Sequence, residues 1–266
     1  MLNEKKLEII SRIVRYNIIY QTFLKKSGHL GGALSCTDIL VNIFNNYLLR
    51  DEENKFVLSK GHCALAVYSV LYQAKKLSKK NFESFSNQGS FFGEHPSPKI
   101  NNKYLYFSTG SLGHGMSYGS GIAYSKKLKK KGGHVFILVS DGEMNSGTVW
   151  ESALLSSKLN LNNLIVIVDY NKFQATGKSD EILNIKPLSK KWKSFGWDVI
   201  ECNGNNHLSI NSSLKLILKN KNKPKIIIAH TIKGKGVSFM ENDNNWHYRS
   251  PSKNELELAK TQLKIK

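Results

Sequence analysis

The chain has 266 residues, 40% of them hydrophobic, and a formal net charge of +19, which is material for one sizeable α/β core and excludes a short peptide module. No run approaches the ~20 apolar residues of a membrane span, and the charged start Met1-Leu2-Asn3-Glu4-Lys5-Lys6 lacks the apolar stretch of a secretory leader. Cys36, Cys63 and Cys202 are odd in number and never spaced Cys-x-x-Cys, so a cytoplasmic protein without a disulfide framework or zinc ribbon is expected.

Apolar positions Leu7, Ile10, Ile13, Val14, Ile18 and Phe23 recur at helical spacing, so residues 3–25 form an amphipathic helix ending at Ser27-Gly28. A second helix is expected from Ser35, a plausible cap, through Phe44, then a buried strand at Lys55–Leu58 and a helix from His62 to about residue 75. Residues 87–104, rich in Gly, Pro, Asn and Ser, read as a long loop of the kind that usually carries function. The Lys126–Lys131 run reads as the solvated C-terminal end of a helix. The second half alternates strictly: strand 134–139, helix 148–159, strand 164–168, helix 189–195, strand 197–200, helix 207–218 and strand 225–229. Short β-branched runs separated by helix-length segments predict a doubly wound, mostly parallel sheet with helices on both faces, in one domain spanning 1–266.

The positive charge comes from 35 Lys against four Arg, spread along the chain with 26 Asn. Base and phosphate readout favours the rigid fork of Arg, so no nucleic-acid partner is expected.

Ligands of an open parallel sheet bind beyond the carboxyl ends of its strands. Ser140-Asp141-Gly142-Glu143 follows one predicted strand and Asp169-Tyr170-Asn171-Lys172-Phe173 the next. A carboxylate, an amide oxygen and a backbone carbonyl make a hard oxygen set suited to Mg²⁺ or Ca²⁺. Taken singly, Asp141 also reads as a helix cap and Asn171 as a turn residue.

Their joint spacing, Asp-Gly and then about thirty residues ending in an apolar strand and Asn, resembles the thiamine diphosphate motif. With Trp150-Glu151-Ser152-Ala153 and Asn163 to Asn171 the chain is similar, more specifically, to transketolases. Ser27-Gly28-His29-Leu30-Gly31, Leu58-Ser59-Lys60-Gly61-His62, Thr109-Gly110-Ser111-Leu112-Gly113 and Lys233-Gly234-Lys235-Gly236-Val237 leading to Trp246-His247 match in the family's order. The resemblance covers essentially the whole chain.

It implies a thiamine diphosphate-binding fold corresponding to the N-terminal, diphosphate-binding part of a transketolase. It further implies a partner chain bearing the pyrimidine-binding and C-terminal domains, with α₂β₂ assembly. Asp141, Asn171 and the carbonyl of Phe173 match the Mg²⁺ ligands, with Ca²⁺ a possible substitute. Gly110, Ser111, Leu112, Gly142, Glu143, Asn171, Lys233 and His247 match cofactor-binding positions, Gly142 and Glu143 where a helix N-terminus offers N–H groups to phosphate. His29, His62 and His95 match the catalytic histidines of the substrate channel. The implied reaction moves a two-carbon ketol unit from a ketose to an aldose, both commonly phosphorylated.

Four departures bear on substrate and assembly. Ser140 stands for the first Gly of Gly-Asp-Gly, Ser146 for a Glu of the acidic network between active sites, and His114 for Gln, while Tyr248-Arg249 follows His247 where Gly is common. The competing readings are a thiamine diphosphate enzyme of specialised sugar biosynthesis, a deoxyxylulose phosphate synthase-like enzyme, a non-catalytic scaffold and a generic nucleotide-binding α/β protein. The last lacks Gly-x-x-x-x-Gly-Lys-[Ser/Thr] and a strand-following Gly-x-Gly-x-x-Gly.

Overall fold

The computed structural model describes residues 2–100, 102–105 and 107–265. Five strands, β1 (Lys55–Leu58), β2 (Val135–Ser140), β3 (Leu164–Tyr170), β4 (Asp198–Asn203) and β5 (Lys225–His230), form one sheet in the order β1-β2-β3-β5-β4, every pair parallel. The predicted strands are all present, with ends displaced by a few residues.

The β-branched runs occupy these positions because both faces of the sheet are covered. Phe56, Leu58, Phe136, Leu138, Ile165, Ile167 and Ile227 point into one core, Val57, Ile137, Val139, Val166, Val168, Ile226 and Ile228 into the other. The first core is closed by α1 (Glu4–Lys25), α3 (Thr37–Ile43), α4 (Ala64–Gln73), α10 (His207–Ile217) and α11 (Lys253–Gln262). The second is closed by α6 (His114–Leu128), α7 (Gly147–Lys158) and α9 (Leu188–Ser194). Arg15 on α1 binds Asp38 on α3 through two hydrogen bonds of 2.9 and 2.6 Å in the first core. The three cysteines are buried and unpaired.

Several expectations change. The helix expected from Ser35 begins at Thr37 as α3 and passes into a wider turn at Phe44–Leu48, and a separate helix outside those expected, α2 (Leu30–Ser35), precedes it. The short helices α5 (Lys79–Glu83) and α8 (Ser179–Ile182) and the terminal α11 add to the expected elements. Lys126 is 6% exposed and ion-paired to Glu53 at 3.1 Å, so the lysine run is not uniformly solvated. The expected long loop carries no helix or strand among its described residues, yet Phe92, Ile100 and Tyr104 are buried in the first core. Phe92 meets Tyr68 edge-on at 5.4 Å and Tyr104 meets Phe44 at 5.5 Å. These aromatic anchors hold the loop against the domain beside the carboxyl edge.

Candidate active site

The register pairs Ser140 with Asp169, so the chain leaves β2 and β3 side by side and brings Asp141 next to the Asn171 turn. Asp141 is completely buried. Its Oδ2 accepts from Lys172 N at 2.7 Å and Ser179 Oγ at 3.1 Å, and its Oδ1 from Gly142 N at 2.9 Å. No Lys or Arg forms an ion pair with it among the described residues. Burial first, and then the charge of Asp169, push its carboxyl up to about 7.

Asn171 is turned by the groups behind it. Its amide nitrogen donates to Ser35 Oγ at 3.2 Å and Asp169 at 3.4 Å, so its oxygen faces the chain beyond, where Phe173 N donates to it at 3.0 Å. Asp169, also completely buried, accepts from Lys60 Nζ, from Ser35 Oγ at 2.6 Å and from Thr231 Oγ1 at 2.5 Å. Burial works against the Lys60 charge and Asp169 overrides it, holding the ammonium well above its usual range. Neither member of this buried pair is among the expected site residues. A charged side chain inside the apolar run of β3 is the available signal for Asp169; for Lys60, one lysine among 35, it is its place in the Leu58-Ser59-Lys60-Gly61-His62 motif.

A cleft of about 290 Å³ opens over these residues, lined by His29, His62, His95, Gly110, Leu112, Gly142, Asn171, Phe173, Lys233 and His247 among the expected residues. Lys60, Gln174 and Ala175 line it as well. The four imidazoles form a cluster: His29 lies 5.2 Å from His62, 6.1 Å from His95 and 5.3 Å from His247 between ring centres. Lys233, 1% exposed, donates to Gln174 O at 3.2 Å, Asn244 Oδ1 at 2.5 Å and His247 Nδ1 at 3.0 Å. Burial and then the Lys60 charge pull its ammonium down to about 8. Burial and then Lys233 pull His247 to about 3, and burial and then His62 pull His29 to about 4, so both rings are neutral near pH 7.

Glycine is required where the loop after residue 108 meets β1: a Cβ on Gly61 would lie 2.5 Å from Thr109 O. This contact sets Gly110 against the His95 ring and Leu112 at the rim.

Two expected cofactor residues stand elsewhere. Ser111 is exposed and outside the cleft lining. Glu143 is completely buried, and its carboxylate is consumed by the protein: Oε1 accepts from Ser59 Oγ and from Gly113 N at 2.9 Å, Oε2 from Ser140 N at 2.7 Å. It staples the 110–113 loop to the end of β2. The segment Gly142–Asn145 is a 3₁₀ turn, and α7 starts only at Gly147, so no long helix begins at Gly142.

The donor set fits a divalent cation and an anion. Among the described residues no three His, Cys, Asp or Glu side chains converge as metal ligands, so a cation here must use a mixed set of one carboxylate, one amide oxygen and backbone carbonyls, as Mg²⁺ and Ca²⁺ accept. Asp141 is a buried carboxylate in want of a cation, and Lys233 a buried ammonium in want of an anion. The doubly wound domain thus presents both demands at the carboxyl edge of its sheet.

A family model described as transketolase, thiamine diphosphate binding domain, matches residues 6–266. Over 260 residues, 95% of this chain and 92% of the relative, the sequence is 33% identical to a protein of Phocaeicola vulgatus named as a subunit of apulose-4-phosphate transketolase. Over 80% of each chain it is 32% identical to the 6-deoxy-6-sulfo-D-fructose transketolase subunit SqwG of a Clostridium species. The transketolase structures from Leishmania mexicana and Campylobacter jejuni superpose on 99% of this chain with TM-scores of 0.88 and 0.87, at 23% and 24% identity, and share its fold. This chain spans 42% and 43% of those two. The chain belongs to the transketolase family, in which it corresponds to the thiamine diphosphate-binding domain.

Proposed function

We propose that this chain is the diphosphate-binding subunit of a two-chain, thiamine diphosphate- and Mg²⁺-dependent transketolase. The observation that carries the reading is the cleft itself, where a buried carboxylate lacks a cation and a buried ammonium lacks an anion, with the Asp141-to-Asn171 motif folded around them. Asp141, Asn171 and the Phe173 carbonyl would hold Mg²⁺. Gly142, Lys233 and His247 would face the diphosphate, and Gly110 and Leu112 the rings.

When bound, the cofactor supplies the electron sink that lets a carbon–carbon bond beside a ketose carbonyl break. The chain's own residues orient and move protons. His29 and His247 are neutral near pH 7; His247 Nδ1 accepts from Lys233, which leaves its Nε2–H as a donor, and His29 Nδ1 faces Glu94, which leaves Nε2 for a sugar hydroxyl. His62 and His95 widen the same polar wall.

The partner would carry the pyrimidine-binding and C-terminal domains, in an α₂β₂ assembly in the cytoplasm. One observation supports a partner: relatives matching over nearly their full length are named as subunits. No described helix is long and apolar enough to cross a membrane.

The same relatives favour a second reading of the substrates. Those matching at 33% and 35% identity are named for apulose 4-phosphate. His114, Ser146 and Tyr248 depart from the usual pattern around the cleft and its flank, and a transketolase of specialised sugar metabolism accommodates them.

The test is ketol transfer by the native complex captured through this chain, from xylulose 5-phosphate to ribose 5-phosphate and, in parallel, from apulose 4-phosphate. Transfer that requires thiamine diphosphate, Mg²⁺ and the partner supports the reading; no transfer from any ketose phosphate overturns it.

A pH prediction follows from Lys233. Its ammonium lies at about 8, and an anion bound beside it stabilises the charged form and raises it. Thiamine diphosphate at saturating Mg²⁺ therefore binds the complex most tightly below about pH 8 and more weakly as pH rises through it. Calorimetric titration between about pH 7 and 9.5 checks this, and Lys233→Met flattens the profile while lowering affinity.

A further inference from the structure

The mouth of the cleft holds a hydrogen-bonded chain that the roles above leave unused. Glu94, at the near end of the long loop, is gripped through one oxygen: Oε1 accepts from the Tyr248 hydroxyl at 2.7 Å and from Ser27 Oγ. Ser27 in turn accepts from Ser86 Oγ at 3.1 Å. The other oxygen, Oε2, lies 3.3 Å from His29 Nδ1. That nitrogen is buried and has no other polar partner. The Tyr248 ring meets the same imidazole edge-on at 4.8 Å, so carboxylate and ring bracket His29 from two sides.

We propose that Glu94 is a positioning residue for His29, fixing the ring with its proton on Nδ1 and its acceptor lone pair on Nε2, while Tyr248 and Ser27 hold the carboxylate in place. An ionised carboxylate only accepts hydrogen bonds, so a neutral imidazole facing it must place its N–H on the facing nitrogen. Neutrality follows from burial and from His62, which hold His29 near 4 against the opposing pull of Glu94. The remaining groups around the ring, His62, Cys63, His95 and His247, include no second carboxylate. At 3.3 Å the contact is long for a hydrogen bond, as catalytic contacts often are before they tighten in the substrate complex. Nε2 is then an acceptor for a sugar hydroxyl in every turnover, rather than in the fraction of molecules that happen to carry the right tautomer. Tyr248 sits where this chain departs from its family's usual glycine after His247, and its grip on Glu94 gives that departure a role.

The inference rests on the reading of His29 as a substrate-channel residue, and its first readout is independent of activity. Nitrogen NMR of ¹⁵N-histidine-labelled complex, with neither cofactor nor substrate added, reports which ring nitrogen of His29 is protonated. The wild type is expected to carry the proton on Nδ1. In Glu94→Gln the carboxamide can donate to Nδ1, and the proton moves to Nε2. The same variant is expected to lose about tenfold to a hundredfold in kcat, the scale of one misplaced acid–base group, with KM and thiamine diphosphate affinity within about twofold. Glu94→Asp recovers part of kcat, and Tyr248→Phe, which leaves the ring but removes one grip on Oε1, loses a few-fold. A wild-type proton on Nε2, or an unmoved proton in Glu94→Gln, overturns the proposal, as does a change in KM alone. A correct tautomer switch in a complex that transfers no ketol unit instead counts against the transketolase reading and leaves the positioning role standing.

Discussion

Asp141→Asn removes magnesium-dependent binding of thiamine diphosphate while leaving the fold intact, with affinity falling about a thousandfold, equivalent to about 4 kcal/mol. The size follows from the surroundings of Asp141. Its carboxylate is buried, has no Lys or Arg partner among the described residues and is pushed up to about 7 by burial and by Asp169. Two negative groups are thus held together at the ends of β2 and β3; among the described residues Lys60 ion-pairs with Asp169, and Lys233 acts on both carboxylates without forming an ion pair with either. A divalent cation supplies the missing charge, and removing the carboxylate removes the reason for it to bind. Asparagine preserves the oxygen that accepts from Lys172 N and Ser179, which alanine would leave unpaired. Calorimetry with Mg²⁺ and cofactor on the complex, beside a thermal melt, separates the two effects. Undiminished cofactor affinity in this variant would remove Asp141 from the metal site.

His62→Ala acts on turnover instead. His62 lies in the imidazole cluster lining the cleft, 5.2 Å from His29 and 6.2 Å from His247 between ring centres, and follows Lys60 and Gly61, whose packing against Asp169 and Thr109 fixes the backbone there. Loss of one proton-handling side chain lowers kcat by about a hundredfold to a thousandfold. Thiamine diphosphate affinity stays within a few-fold, because the phosphate-facing groups are untouched. Steady-state kinetics with binding measured in parallel decide this; an unchanged kcat, or a loss confined to cofactor affinity, would take His62 out of the chemistry.

The fold is legible in the sequence where local pattern and burial agree. β1, with Lys55–Leu58 as its limits, and the alternating second half follow from apolar runs that both faces of a parallel sheet require. α2 escapes local pattern because Leu30-Gly31-Gly32-Ala33 is rich in glycine, a poor helix former. That segment is helical through tertiary contact: a Cβ on Gly31 would lie 3.0 Å from Trp246 O and 3.1 Å from the Lys233 side chain. α11 escapes it for a different reason, since only Leu256 and Ala259 of its ten residues are buried and the rest show little apolar period.

The site is legible through motif order, which brings ten of the expected residues to one cleft with Asp141 beneath it. Position in a motif does not reveal what a side chain has already bound. Glu143 stands two residues from Asp141 in sequence, yet Ser59, Gly113 and Ser140 use both of its oxygens. Ser59 is 84 residues away, and no spacing rule predicts that it would reach Glu143. The Lys60–Asp169 pair, 109 residues apart, and the Tyr248–Glu94 contact, 154 apart, are hidden in the same way. Long-range polar partners, unlike strands, leave no periodicity.

The central claim is that this chain holds the diphosphate and metal half of a cofactor site completed by another chain. The most direct test titrates thiamine diphosphate with Mg²⁺ into this chain alone, the co-purified partner alone, and the two reassembled. Saturable, Mg²⁺-dependent binding that is tight only in the reassembled complex, and that Asp141→Asn in this chain abolishes, is the predicted result. Tight binding by the partner alone, or none in the reassembled complex, would contradict it.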